Sequence, residues 1–173
     1  MSTYYLDDFE IGHSIFLNED LTSYGVIDTN VTGHTVGNKF VFETQYWDGV
    51  GCARACATTG IKLQYNEDDA GWVDVGAATP ISYADCSGLT DEGASTDNCT
   101  AQATCASGFE AGIQCEDAVT AHTQTTEYYS NTQWGLGTVN ATPGSTYALQ
   151  VYDTTNNGAI SFEITPILSL IHI

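Results

Sequence analysis

Six cysteines, four histidines and a dense set of carboxylates are the side chains in this chain that could do chemistry. Cys52, Cys56, Cys86, Cys99, Cys105 and Cys115 cluster in the middle of the chain, between residues 52 and 115. No C-x2-C pair occurs among them and no histidine lies within three residues of any, so a structural zinc site is disfavoured. The even count favours disulfides. The preferred set is Cys52–Cys56, Cys99–Cys105 and Cys86–Cys115, two local staples worth about 2 kcal/mol each and a longer closure worth about 3.5 kcal/mol. Such bridges imply an oxidising final environment. His13, His34, His122 and His172 form no H-x-H or H-E-x-x-H arrangement and read as surface or turn residues. No G-x-S-x-G elbow is present. Asp91-Glu92 and Glu116-Asp117 could be the paired acids of a glycosidase, but in so acidic a chain solvated loop carboxylates are the better reading. No catalytic residues are assigned, and an enzyme is not expected.

Two binding chemistries are open. Glu67, Asp68 and Asp69 concentrate hard oxygen ligands in one turn, which suits calcium, although EF-hand spacing is missing and a polar turn explains them equally; no other cofactor is expected. Trp47 and Trp134 are candidate sugar-stacking platforms, with core packing as the competing reading. Asn30-Val-Thr32, Asn98-Cys-Thr100 and Asn140-Ala-Thr142 match glycosylation sequons.

Charge excludes whole classes of partner. Lys39, Arg54 and Lys62 face 22 acidic residues, for a net charge of −19. Nucleic-acid binding needs basic residues to replace phosphate counterions, so no nucleic acid is expected, and anionic membrane surfaces fail on the same ground. Self-repulsion at this charge is relieved by salt, which fits a saline setting, as simple solubility does. No run approaches the roughly 20 apolar residues of a membrane helix. The opening MSTYYLDDFEIG lacks the basic and apolar regions of a signal peptide, so export by that route needs a leader outside this sequence.

The elements that must carry these residues are strands. Tyr147, Leu149 and Val151 alternate on one side of Asp153–Gly158, and Ile160, Phe162 and Ile164 on the other, the pattern of a hairpin with one buried face. Asn38–Trp47 places Phe40, Phe42, Thr44 and Tyr46 on one face and Val41, Glu43, Gln45 and Trp47 on the other. Ser14–Leu17, Thr29–Thr35, Gly60–Tyr65, Trp72–Val75 and Thr126–Leu136 supply further strands, while 76–125 reads as a long Cys-rich loop region anchored by Tyr83 and Phe109. The expectation is an all-β fold, an antiparallel two-sheet β-sandwich of about eight strands, immunoglobulin-like or jelly-roll. It occupies 1–167 as a single domain, with 1–20 as an arm or edge strand. Residues 168–173, apolar and unpunctuated, read as a terminal extension, either a further strand or non-native sequence. The N-terminal strand either closes its own sandwich or ties to an adjacent subunit by strand addition.

In order along the chain come GIKLQYNEDDAGWVDVG, CSGLTDEGAST, GFEAGIQCEDA, TEYYSNTQWGL and STYALQVYDTTNNGAISFEITP. This series resembles an immunoglobulin-like β-sandwich module of tailed-phage structural proteins and environmental bacterial surface proteins, over about Lys39 to Ile167. Leu63-Gln-Tyr65, Trp72–Gly76, Leu89-Thr-Asp91, Phe109–Gly112 and Tyr147–Asp153 match its strand and loop motifs. The Leu89-Thr-Asp-Glu-Gly93 stretch and the cysteines depart from it. The resemblance implies a structural or adhesive role and brings no catalytic residues. The expected function is therefore a non-enzymatic structural subunit of an extracellular particle, a virion or tail component or a surface filament. Its partners would be copies of itself or other particle subunits. The alternative is a secreted adhesin module that binds glycans or cell surfaces.

Overall fold

The structure, a computed structural model, describes residues 9–22, 24, 29–48, 59–96, 111–117, 120–122, 129–153, 158–160 and 166–171. Among them are twelve strands and no helix: β1 (Phe9–Asn18), β2 (Val31–Thr35), β3 (Lys39–Asp48), β4 (Thr59–Glu67), β5 (Trp72–Asp74), β6 (Ser82–Tyr83), β7 (Ile113–Cys115), β8 (Thr120–His122), β9 (Tyr129–Gly137), β10 (Thr146–Asp153), β11 (Gly158–Ile160) and β12 (Ile167–Ile171). They form two mostly antiparallel sheets, as the alternation requires. The first runs β1-β3-β9, with β6 and β7 sharing the far edge of β9. The second centres on β10: β4 lies on one side and β12 and β11 on the other, β2 flanks β12, and β5 and β8 flank β4. Two pairings are parallel, β2 with β12 and β7 with β9.

Eight strands were expected. The additional ones are β6, β7 and β8, two or three residues each inside the stretch read as loop, and β12. Runs that short carry no periodicity. β12 covers most of the terminal extension, of whose two readings, a further strand or non-native sequence, it is the strand: it lies between β2 and β10 with Leu168 and Leu170 buried. β1 is an edge strand of its own sandwich, paired with β3 along its length apart from a bulge between Ile11 and Ser14.

The inter-sheet core follows the period-two faces. Phe40, Phe42, Trp134 and Leu136 from the first sheet meet Leu63, Tyr65, Tyr147, Leu149, Val151 and Leu168 from the second. Full burial of side chains of this size stabilises by about 1.5–3 kcal/mol each before entropy is counted. The outward face of the first sheet is buried too, which the polar residues of β3 did not suggest. Segment 84–96 lies across it: Cys86 and Leu89 pack on Leu17 and Val41. Gly135 permits the close crossing, because a Cβ there would run into the Ala84 carbonyl oxygen and Leu89.

Candidate functional site

The outward face of the second sheet is set by register. On β4, Leu63 and Tyr65 point into the core, so Lys62, Gln64 and Asn66 point out. On β10 the inward set is Tyr147, Leu149 and Val151, which leaves Gln150 and Tyr152 outside. β5 brings Asp74 opposite Gln64 and Trp72 opposite Asn66, on the same outer face. The side chains form a connected row. Gln150 Nε2 donates to Gln64 Oε1 at 2.7 Å, Gln64 Nε2 donates to Asp74 Oδ1 at 2.7 Å, and Lys62 Nζ donates to Asp74 Oδ2 at 2.6 Å. The Lys62 ammonium also stands 5.0 Å from the Tyr152 ring centroid, within cation–π range. The bond from Lys62, then that from Gln64, holds the Asp74 carboxyl below the usual carboxylate range. Trp72, 41% exposed, closes one end of the row. The face joins oriented amide and charged groups to an exposed indole. That suits binding; no base–nucleophile pair is among these groups.

The turn read as a calcium candidate does different work. Glu67 Oε1 accepts from the Tyr147 hydroxyl at 2.8 Å, while Asp68 Oδ1 accepts from the Thr146 amide at 2.8 Å and hydroxyl at 2.9 Å. The Thr146 amide bond leads in holding the Asp68 carboxyl low. Asp68 and Asp69 both take positive φ, 46° and 63°, as short polar side chains tolerate. The carboxylates thus pin the β4–β5 turn to the start of β10. Among the described residues no three His, Cys, Asp or Glu side chains are grouped to hold a metal.

Trp134 offers no stacking face: it is fully buried, with Nε1 donating to Thr44 Oγ1 at 3.3 Å. Trp47 pairs through its backbone with Tyr129, and its side chain lies outside the described residues. The Cys86–Cys115 bridge is corrected. Cys115 packs in the inter-sheet core beside Trp134, whereas Cys86 packs on the opposite face of that sheet. Cys86 is a free thiol facing the Phe40 carbonyl oxygen at 3.5 Å, and burial pushes it up to about 11. Cys52, Cys56, Cys99 and Cys105 lie outside the described residues, as does Phe109. The acid pairs are clamps: Asp91 Oδ1 accepts from the Glu116 amide at 3.1 Å, and Glu116 Oε1 from the Cys86 amide at 2.5 Å. Asn30 Oδ1 accepts from the Ile167 amide at 3.0 Å, tying β12 to the chain before β2.

His34 is no surface residue. It is 2% exposed, stacked edge-on against Phe40 and Tyr24. Nε2 faces the Asn38 carbonyl, which can only accept, so Nε2 carries the hydrogen and Nδ1 accepts from the Tyr24 hydroxyl at 3.1 Å.

The sequence reading also missed a buried polar relay under segment 84–96. The Thr90 amide donates to Gln114 Oε1 at 2.8 Å, Gln114 Nε2 to Gln133 Oε1 at 2.9 Å, and Gln133 Nε2 to Glu43 Oε2 at 2.8 Å. From the other side Asn131 Nδ2 reaches Glu43 Oε1 at 3.0 Å and the Thr96 carbonyl at 2.7 Å. The available signal was cross-strand: Glu43 stands opposite Gln133, and Gln45 opposite Asn131.

Comparison with protein-family models, with curated proteins and with solved structures found no match.

Proposed function

We propose that this chain is a non-enzymatic structural subunit of an extracellular particle, either a virion or tail component or a surface filament, acting through copies of itself or other particle subunits. The observation that carries this is the double burial of the first sheet. Its inner face packs in the core, and its outer face is locked beneath segment 84–96 by the relay from Thr90 to Glu43. Satisfied buried polar networks rigidify and specify one arrangement, which suits a load-carrying module. The charge of −19 disfavours nucleic-acid and anionic-membrane partners, and the resemblance to phage and surface modules points the same way. Size-exclusion chromatography and negative-stain imaging of material from the native source test the reading. Co-purification with a regular particle or filament is expected; a strictly monomeric protein without a partner refutes it.

A second reading, a secreted module that binds glycans or cell surfaces, is favoured by one observation. Trp72, Gln64, Gln150 and Tyr152 gather on a single sheet face.

A further inference from the structure

We propose that the outward face of β4, β5 and β10 binds an uncharged oligosaccharide, with Trp72 stacking on a sugar ring and Gln64, Gln150 and Asp74 hydrogen-bonding its hydroxyls. This rests on the second reading above and names its site and ligand class.

The hydrogen-bond inventory is the first argument. A glutamine amide carries two N–H donors and an oxygen with two lone pairs. In the row, Gln150 gives one N–H to Gln64, and Gln64 gives one to Asp74. Each amide keeps a second N–H and lone-pair capacity on a sheet face that points outward. The mutual bonds hold both amide planes, so a ligand does not have to order them, and preorganisation of this kind raises affinity. Vicinal hydroxyls, which donate and accept from adjacent positions, match alternating amide and carboxylate groups.

The second argument is the indole. Trp72 is 41% exposed on a three-residue edge strand. An aromatic ring brings a large apolar surface and a negative face to which polarised C–H groups are drawn. Set beside hydrogen-bonding groups, it matches the two-sided character of a pyranose, with an apolar ring face and a polar rim.

Charge selects the ligand within that class. Lys62 is paired with Asp74, so the row itself presents little net charge, while the chain as a whole carries −19. Sulfated or uronate-rich chains are repelled by that field, and neutral oligomers are not. Trp72 stands opposite Asn66, and Tyr152 opposite Lys62 two strands away. Strand spacing and rise then set the ends of the face about 16 Å apart, room for a short oligomer rather than a monosaccharide.

The test is binding of the full chain to an array of linear neutral oligomers of glucose, mannose and N-acetylglucosamine, beside sulfated and uronate oligomers. Affinities are then measured by titration calorimetry. The wild type is expected to bind a neutral oligomer. Trp72→Ala should weaken that binding about tenfold, the size of one stacking contact. Gln150→Ala, on a central strand, should weaken it severalfold, and Val139→Ser, at an exposed turn, should leave it unchanged. Unaltered binding in both Trp72→Ala and Gln150→Ala, or preference for the sulfated oligomers, overturns the assignment of this face and leaves the binding-module reading standing. No binding to any glycan on the array removes the inference together with the glycan arm of that reading. Binding instead of an extended peptide by strand addition at β5 also overturns it.

Discussion

Glu43→Gln is the sharpest test of the buried relay, because the substitution preserves shape and changes only hydrogen-bond chemistry. Position 43 receives an N–H from each side, from Gln133 Nε2 and from Asn131 Nδ2. Neither amide can turn over to help. Gln133 is held by Gln114, and Gln114 by the Thr90 backbone N–H, which cannot reverse. Asn131 is held by the Thr96 carbonyl, which can only accept from Nδ2 and so turns Oδ1 to the Ser95 hydroxyl, which donates to it while taking a bond from the Gly112 amide. A glutamine at 43 must therefore set an NH2 against another NH2. One accepting oxygen is lost and buried donors are left without an acceptor, a cost of about 3 kcal/mol. Urea unfolding should show it as a midpoint about 1.5 M lower with an unchanged slope. Glu19→Gln, an exposed carboxylate, should change stability by less than about 0.5 kcal/mol. Hydrogen exchange at the Thr90 amide should quicken in the Glu43 variant as the covering segment loosens. A Glu43→Gln protein with the wild-type midpoint would refute the argument that backbone donors fix the relay's direction.

Other outcomes follow from particular side chains. Burial pushes the His34 imidazole below its ordinary value of 6.5; as pH falls through that value the unfolded chain takes up a proton that folded His34 refuses, so stability is intact above 6.5 and declines below it. His34→Gln should remove that part of the decline in midpoint-versus-pH curves, and an unchanged curve would count against it. Cys86, 4% exposed with its thiol pushed up to about 11, should resist alkylation in the native protein and react once unfolded in urea, as read by peptide mass mapping. Leu168→Ala should cost about 2–5 kcal/mol in thermal or urea unfolding; a neutral result would mean that β12 is not part of the folded core.

What the sequence disclosed was whatever strict alternation encodes. The β10–β11 pairing emerged where expected, with Val151 opposite Ile160 and Asp153 opposite Gly158. Phe40 and Phe42 point inward, and Trp134 and Leu136 face the core in phase. The same code misled on the other side of β3. Glu43 and Gln45 alternate as solvent residues do, and only a distant segment folding over them makes that face interior. Tertiary cover of this kind has no local signature. The Cys86–Cys115 pairing failed for a related reason, since spacing along the chain does not say on which face of a sheet each side chain falls. For the candidate face, the tryptophan strand was legible in its position. Its exposure was not, because a three-residue strand has no period to read.

The parallel pairing of β2 with β12 has a consequence for how the molecule is made. Asn30 and Ile167, which bond at its start, lie 137 positions apart in the chain. During synthesis β1 and β3 can zip together early, since only residues 19–38 separate them, but β2 must wait for residues added almost a whole chain later. Until then its edge stays open, and the nascent second sheet lacks the strand that joins β2 to β10. Long-range pairings of this kind fold late and slowly, and unpaired strand edges in waiting intermediates invite association. On the ribosome, the strong like charge of the growing chain would be its protection against neighbouring copies.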